Sequence, residues 1–357
     1  MKNTKVEIEE QHLALYRKYR PETFKDVLGQ ELAISTLENS IKQNKISHAY
    51  LFSGDRGTGK TTVARIFAKA IGSTNDDVFE INSASNRKIE DIRQIIDSLS
   101  TSTFNSRYKI YILDEAHMLT KEAFNALLKA LEEPPAHVIF ILATTDRHKL
   151  PNTIISRCQE IKFLSPDIKV LENLIETVSK KENKEIENEA AKIIAREGKG
   201  SFRDTLGILE KVFSSISENK ITKQIVEKIF GILDEEEVYK ILESICEKDS
   251  SKLLTHLENL KLETNQFIDN AYMQIVKIME LTLFLRLVKE DDAKKFFENK
   301  VGESLIQKLK SLAEKYPTSI SSSNLYKLLQ IEKDLNTNST QIKKTILTTG
   351  LIMIIDN

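Results

Sequence analysis

Residues 54–61 read Gly54, Asp55, Arg56, Gly57, Thr58, Gly59, Lys60 and Thr61, two glycines separated by four residues and followed by a lysine and a hydroxyl. That spacing suits a phosphate. Glycine lets the backbone curl until successive N–H groups face one point, and a helix opening behind the loop adds the partial positive charge of its N-terminus. In such a cradle Lys60 meets the β- and γ-phosphates of a nucleoside triphosphate, Thr61 is a magnesium ligand, and Thr62 continues the turn. A Gly-rich turn can match the pattern by chance, so context matters. Here an apolar run, Ala49–Ser53, leads in, and Val63, Ile66, Phe67 and Ala70 follow at helical spacing.

A second cluster lies downstream, where Tyr108–Leu113 is an apolar run ending in Asp114 and Glu115. Open parallel sheets place their ligands at the C-terminal edge of the strands. There Asp114 would hold magnesium through water, and Glu115 would polarise an attacking water. Alone, an Asp-Glu pair after a strand is an ordinary cap; the phosphate loop upstream makes the chemical reading the better one. His117, beside an apolar turn, is expected to be packed and hydrogen-bonded and is given no chemistry. Another apolar run, Val138–Ala143, ends in Thr144, Thr145 and Asp146. Hydroxyls there could report a γ-phosphate, or could simply satisfy nearby backbone groups.

These groups need a scaffold, and short β-branched runs alternate with helical patterns to supply it. The expected strands are Ala49–Ser53, Val78–Ile81, Lys109–Leu113, Val138–Ala143 and Gln159–Phe163. Between them, Ile89, Ile92, Ile96 and Leu99, then Phe124, Leu127, Leu128 and Leu131, recur at helical period. Such alternation predicts an α/β fold, a five-stranded parallel sheet with helices on both faces. After Ser165 and Pro166 helical periodicity takes over. The expected organisation is a tail over 1–12, a nucleotide-binding domain over 13–165, a small helical lid over 166–232 and an all-helical domain over 233–357. The last includes a long helix from Asn265 to Lys289.

Composition narrows the rest. The 52 basic residues balance 53 acidic ones, so any nucleic-acid contact must come from a local patch. One candidate is Arg87, Lys88 and Arg93 at the start of a helix, where cations and helix amides could track a DNA backbone. Glu90 and Asp91 dilute it, and the same residues equally suit a solvated helix face. The 2 cysteines, Cys158 and Cys246, stand far apart, too few for a disulfide framework or a four-thiolate zinc site. The N-terminus lacks the apolar stretch of a signal peptide, and the runs Leu281–Val288 and Ile346–Ile355 are short for a bilayer. A soluble, cytoplasmic protein is expected.

Several longer segments resemble one family. Tyr16 through Gln30 (YRKYRPETFKDVLGQ) is similar to the N-terminal signature of AAA+ clamp-loader ATPases. So are Asn125 through Pro135 (NALLKALEEPP), the triplet Ser156, Arg157 and Cys158, and the run Gly200, Ser201, Phe202, Arg203 and Asp204. With Ile81 through Asn86 (INSASN) they most resemble the bacterial DNA polymerase III gamma/tau family, with replication-factor-C small subunits a step further away. The likeness is dense over residues 13–215 and loose beyond.

The resemblance implies a P-loop AAA+ domain, a helical lid and an all-α collar that assembles subunits, and an ATPase that loads a sliding clamp onto primed DNA. ATP and Mg2+ are the implied cofactors. It implies partners as well: companion subunits of delta and delta-prime type, further copies of the chain, the clamp, and primer-template DNA held by its backbone. Arg157 is implied as a finger reaching a neighbouring subunit's nucleotide, and Arg203 as a sensor of the chain's own. Thr145, with Thr144 as the alternative, is implied as the other sensor, and Tyr16, Arg20, Pro21 and Val27 would surround adenine. The family's four-cysteine zinc module has no counterpart over residues 70–78, so zinc is not expected. The chain is expected to be the short, gamma-like form without the tau extension. Other readings are a different AAA+ DNA-remodelling motor, such as a branch-migration helicase, and a nucleotide-gated scaffold. Intact Lys60, Thr61, Asp114 and Glu115 speak against the scaffold.

Overall fold

The computed structural model describes residues 13–86, 88–216, 218–260, 262–288, 292 and 303–356, which fall into two compact units divided between Thr222 and Lys223. In the first, α1 (Leu15–Lys18) and α2 (Glu31–Lys42) precede a sheet of β1 (Ala49–Ser53), β2 (Val78–Asn82), β3 (Lys109–Asp114), β4 (Val138–Thr144) and β5 (Gln159–Lys162). Helices α3 (Lys60–Ala70), α4 (Ile89–Ser98), α5 (Lys121–Glu132) and the short α6 (Asn152–Ile155) connect the strands. All ladders are parallel, in the order β2-β3-β4-β1-β5.

Side-chain alternation explains the two-sided core. Tyr50, Phe52, Ile110 and Ile112 point to one face, against Val63, Ala64 and Phe67 of α3. Leu51, Tyr111 and Leu113 point to the other, against Ile92 of α4 and Phe124 and Leu127 of α5. Both faces are covered, so β1 and β4 are buried along their whole length and read as unbroken apolar runs. The outer strand β2 is only partly buried. Three strands run one residue beyond expectation, to Asn82, Asp114 and Thr144, because main-chain pairing continues beneath the polar side chains: Asn82 opposes Asp114, and Ser53 opposes Thr144. Conversely, β5 stops at Lys162 rather than Phe163.

The segment after β5 holds α7 (Ile168–Lys181), α8 (Asn188–Glu197) and α9 (Phe202–Ser215), the last capped by Ser201 Oγ accepting the Asp204 N–H. It is not purely helical. Two-residue strands β6 (Glu185–Ile186) and β7 (Lys220–Ile221) pair in parallel, a ladder too short to leave a period in the sequence.

The second unit is helical among the described residues: α10 (Lys223–Phe230), α11 (Glu235–Cys246), α12 (Ser250–Asn259), α13 (Asn265–Leu287), α14 (Glu303–Lys315), α15 (Ser322–Asp334) and α16 (Thr340–Ile355). Helix α13 is buried on several sides through Ile268, Ala271, Tyr272, Ile275 and Met279. Its end at Leu287 falls short of Lys289, which lies outside the described residues. No helix among the described residues is long and apolar enough to cross a membrane.

Candidate active site

The loop between β1 and α3 owes its shape to glycine. Gly54, Gly57 and Gly59 take φ of +150°, +76° and +99°, a half of backbone space that costs other residues a Cβ clash. Gly59 caps α3 without any side-chain hydrogen bond, leaving the first amides of the helix free to meet an anion. Thr58 Oγ1 donates to the Asp55 carbonyl at 2.8 Å. Lys60 Nζ donates to the Gly54 and Asp55 carbonyls, both at 2.7 Å. Burial pulls the Lys60 pKa down, partly opposed by the carboxylates of Glu115, Asp114 and Asp55.

Gln30 pins this loop from behind. Its buried amide donates to the Leu164 carbonyl at 2.7 Å and the Thr58 carbonyl at 3.4 Å, and accepts the Leu164 N–H at 3.1 Å. The loop's other lateral support is the segment after β5: Phe202 N–H donates to the Gly57 carbonyl at 3.0 Å, and Ser165 Oγ to Asp55 Oδ2 at 2.7 Å.

Register brings the acids opposite. Asp114 Oδ2 accepts from Thr61 Oγ1 at 3.1 Å, and its Oδ1 accepts the Glu115 N–H at 3.0 Å. Glu115 itself is left-handed, φ 51° and ψ 44°, where the chain breaks from β3 into a 3-10 turn at Ala116–Met118. Strained backbone of this kind persists where surrounding structure holds it, and it gathers at functional sites. Glu115 Oε2 accepts from Thr145 Oγ1 at 3.0 Å. Thr144 is fully buried and bonded to His117 Nδ1 at 3.1 Å, so the two threonines differ in what they face. His117 is packed and hydrogen-bonded, and its Nδ1 also stands 3.5 Å from Glu115 Oε2.

A cavity of about 530 Å³ opens over these groups. Of the residues singled out from sequence, Arg56, Gly57, Thr58, Gly59, Lys60, Thr61, Thr62, Asp114, Glu115 and Arg203 line it, as do Tyr16, Arg20, Pro21 and Val27. Gly54, Asp55 and Thr145 stand behind that lining and touch it through Lys60 and Glu115. Arg203 lies over the Tyr16 ring, 5.0 Å from its centroid. The cavity mouth is rich in cations: burial first, then Arg65, Arg17 and Arg203, lower the Arg20 pKa, with Glu80 opposing. Arg157 is elsewhere, donating to the Thr153 carbonyl at 2.7 Å and to Glu132 Oε1 at 2.6 Å. Lys88 and Arg93 are exposed on or beside α4, while Arg87 lies outside the described residues.

Sequence reading missed several participants. Glu80, Asn82, Tyr19 and Leu206 also line the cavity, and Glu182 of the lid accepts from Lys18 Nζ at 2.7 Å and Tyr19 OH at 2.6 Å, strapping α1 to α7. Asn82 carried a signal, standing at the end of a strand beside the acids; Glu182 carried none.

Comparison with known proteins bears on these features. The family model described as DNA polymerase III, delta subunit, matches residues 29–80 and 72–167. DNA polymerase III subunit gamma of Buchnera aphidicola subsp. Baizongia pistaciae is 34% identical over 321 residues, 84% of this chain and 85% of that one. DNA polymerase III subunit tau of Bacillus subtilis is 42% identical over 268 residues, 69% of this chain but 47% of its own length. The chain therefore spans less than half of that longer relative. Among solved structures, the RuvB Holliday junction branch migration motor of Thermotoga maritima superposes with a TM-score of 0.51 at 26% identity, covering 64% of this chain and 80% of that one.

Proposed function

Since the chain belongs to the gamma/tau family of DNA polymerase III subunits, we propose that it is the ATP-hydrolysing motor of a clamp loader, opening a sliding clamp and placing it on primed DNA. The observation that carries this is the convergence of Lys60, Thr61, Asp114, Glu115 and Arg203 on one cavity. Those side chains come from the head of α3, the end of β3 and the start of α9, and together they supply the groups that phosphoryl transfer to water draws from the nucleotide's own subunit.

In this reading the curled loop and the amides of α3 receive the triphosphate. Lys60 leaves the carbonyls of Gly54 and Asp55 for the β- and γ-phosphates, and the carboxylates beside it keep its buried charge. Thr61 and Asp114 would hold magnesium: a hydroxyl and a carboxylate already 3.1 Å apart form an all-oxygen donor pair suited to a hard cation. When bound, that ion would neutralise charge on the phosphate oxygens. Glu115 orients the attacking water, and Thr145 reads the γ-phosphate by exchanging its bond to Glu115 for one to phosphate. Arg203 swings from the Tyr16 ring to the nucleotide, coupling occupancy to the lid. Tyr16, Arg20, Pro21 and Val27 enclose the base.

Arg157 serves the neighbour's site. A guanidinium outside its own cavity, in the turn after the short α6 and held by an exposed partner, is placed to be presented rather than buried. Hydrolysis then requires assembly with further copies and with delta- and delta-prime-type subunits, through the helical second unit acting as a collar. DNA contact falls to the backbone-tracking cations near α4, and the protein works in the cytoplasm. ATP turnover by the purified chain, alone and then with clamp, companion subunits and primed DNA, tests the reading. The additions should stimulate turnover and Lys60→Ala should abolish it; turnover indifferent to both refutes the proposal.

A further inference from the structure

We propose that His117 is a positioning residue for Glu115: anchored by Thr144, it holds the Oε2 oxygen when Thr145 lets go. The inference rests on reading Glu115 as the group that orients water. Among the described residues Oε2 has two hydrogen-bonding or ion-pair partners, the Thr145 hydroxyl at 3.0 Å and His117 Nδ1 at 3.5 Å. Among the described residues Oε1 has no hydrogen-bond partner, so one oxygen is tethered and the other is left for water. Thr145 cannot bond Oε2 and a phosphate oxygen with one proton. Once it turns to phosphate, His117 Nδ1 is the one of the two that remains beside Oε2.

The ring is built to stay put. Its side chain is only 11% exposed, and the Thr144 hydroxyl that meets Nδ1 at 3.1 Å also accepts the Asp146 N–H at 3.0 Å, fixing that oxygen to the backbone. Thr144 is fully buried at the end of β4, a rigid central strand. The left-handed Glu115 begins the 3-10 turn carrying His117, so base and anchor move as one short segment. Both threonines thereby act on Glu115, Thr145 directly and Thr144 through the imidazole. Nδ1 serves with its proton between Thr144 Oγ1 and Glu115 Oε2; the Nε2–H tautomer instead accepts the Thr144 proton and leaves Oε2 unheld.

Three substitutions test the idea by where they place a polar atom. In His117→Asn an amide lies near the position of Nδ1, in His117→Gln near that of Nε2, and His117→Phe keeps bulk without polarity. A misplaced base costs about ten- to a hundredfold in turnover. The expectation is a kcat loss of that order for His117→Phe and His117→Gln, recovery to within about threefold for His117→Asn, and unchanged affinity for a fluorescent ATP analogue with magnesium in all three. Adding Thr144→Val to His117→Phe should cause no further loss. Equal turnover in all three variants, equal loss in Asn and Phe, or a parallel fall in affinity overturns the proposal. Should His117→Phe fail to fold, the Asn and Gln pair decides alone. Lys60→Ala, measured beside them, separates the two levels: turnover surviving in Lys60→Ala removes the ATPase reading itself, whereas its loss with full speed in His117→Phe removes only the role of His117.

Discussion

Gly57→Ala is the sharpest test of how the phosphate loop and the lid depend on each other. Gly57 sits at φ +76°, and a Cβ there would stand 2.0 Å from Ser201 Oγ and 3.0 Å from Ser201 Cβ. Two costs combine. Positive φ penalises alanine by roughly 1–2 kcal/mol. Displacing the Ser201 hydroxyl breaks its bond to the Asp204 N–H, the N-cap of α9, worth about 1 kcal/mol. The sum, roughly 2–3 kcal/mol, lowers the Tm of a unit this size by about 5–10 °C. Gly59→Ala is the control: φ is +99°, but no atom lies within 4 Å of its Cβ, so only the backbone part, roughly 1–2 kcal/mol, applies. Differential scanning calorimetry of the three proteins reads the difference. A second arm uses Ser201→Ala, which alone costs the cap but in the Gly57→Ala background removes the nearest clashing atom. The double variant should be no less stable than Gly57→Ala. Equal losses in the two glycine variants, or a full extra cap penalty in the double variant, would refute the steric coupling of loop to lid.

Other consequences are open to measurement. Arg157→Ala should leave nucleotide affinity of the chain alone unchanged while turnover of the assembled complex falls by ~10³ or more; an equal fall in the isolated chain would assign the arginine to its own site. Charge reversal at Lys88 and Arg93 should weaken primed-DNA binding and lower the magnitude of its salt slope by about 2, and an unchanged slope would return these residues to an ordinary solvated face. Glu182→Gln should lower the Tm at neutral pH. Burial raises the Glu182 pKa, yet hydrogen bonds from Lys18 and Tyr19 outweigh it and hold the carboxyl below its usual value. An acid depressed in the fold stabilises above its unfolded pKa, near 4.3 for Glu, and loses that contribution as pH falls through the folded one. The gap between parent and variant should therefore close on acidification; a gap constant with pH would argue against the strap.

What the sequence disclosed and what it withheld divide along physical lines. Central strands were legible because both faces are covered, leaving unbroken apolar runs such as that of β4, and the phosphate loop because its glycines fall at fixed offsets from Lys60. The five parallel strands appeared where expected to within a residue. By contrast, the ladder of β6 and β7 spans two residues and leaves no periodicity. The bond from Thr145 to Glu115 depends on the register of β3 against β4, which spacing within either strand does not encode. Glu182 meets Lys18 and Tyr19 only because the lid folds back on the start of the chain, a contact no local pattern announces.

The amide of Gln30 has one more implication. By bonding both the N–H and the carbonyl of Leu164, it completes that residue's main-chain pairing as a neighbouring strand would, and with a third bond it reaches Thr58 inside the loop. The point where the sheet ends is thereby riveted to the same side chain that braces the cradle. One side chain therefore holds both the residue that leads from the sheet towards α7 and the loop that ends at α3, so loss of the Gln30 amide would loosen the two places at once.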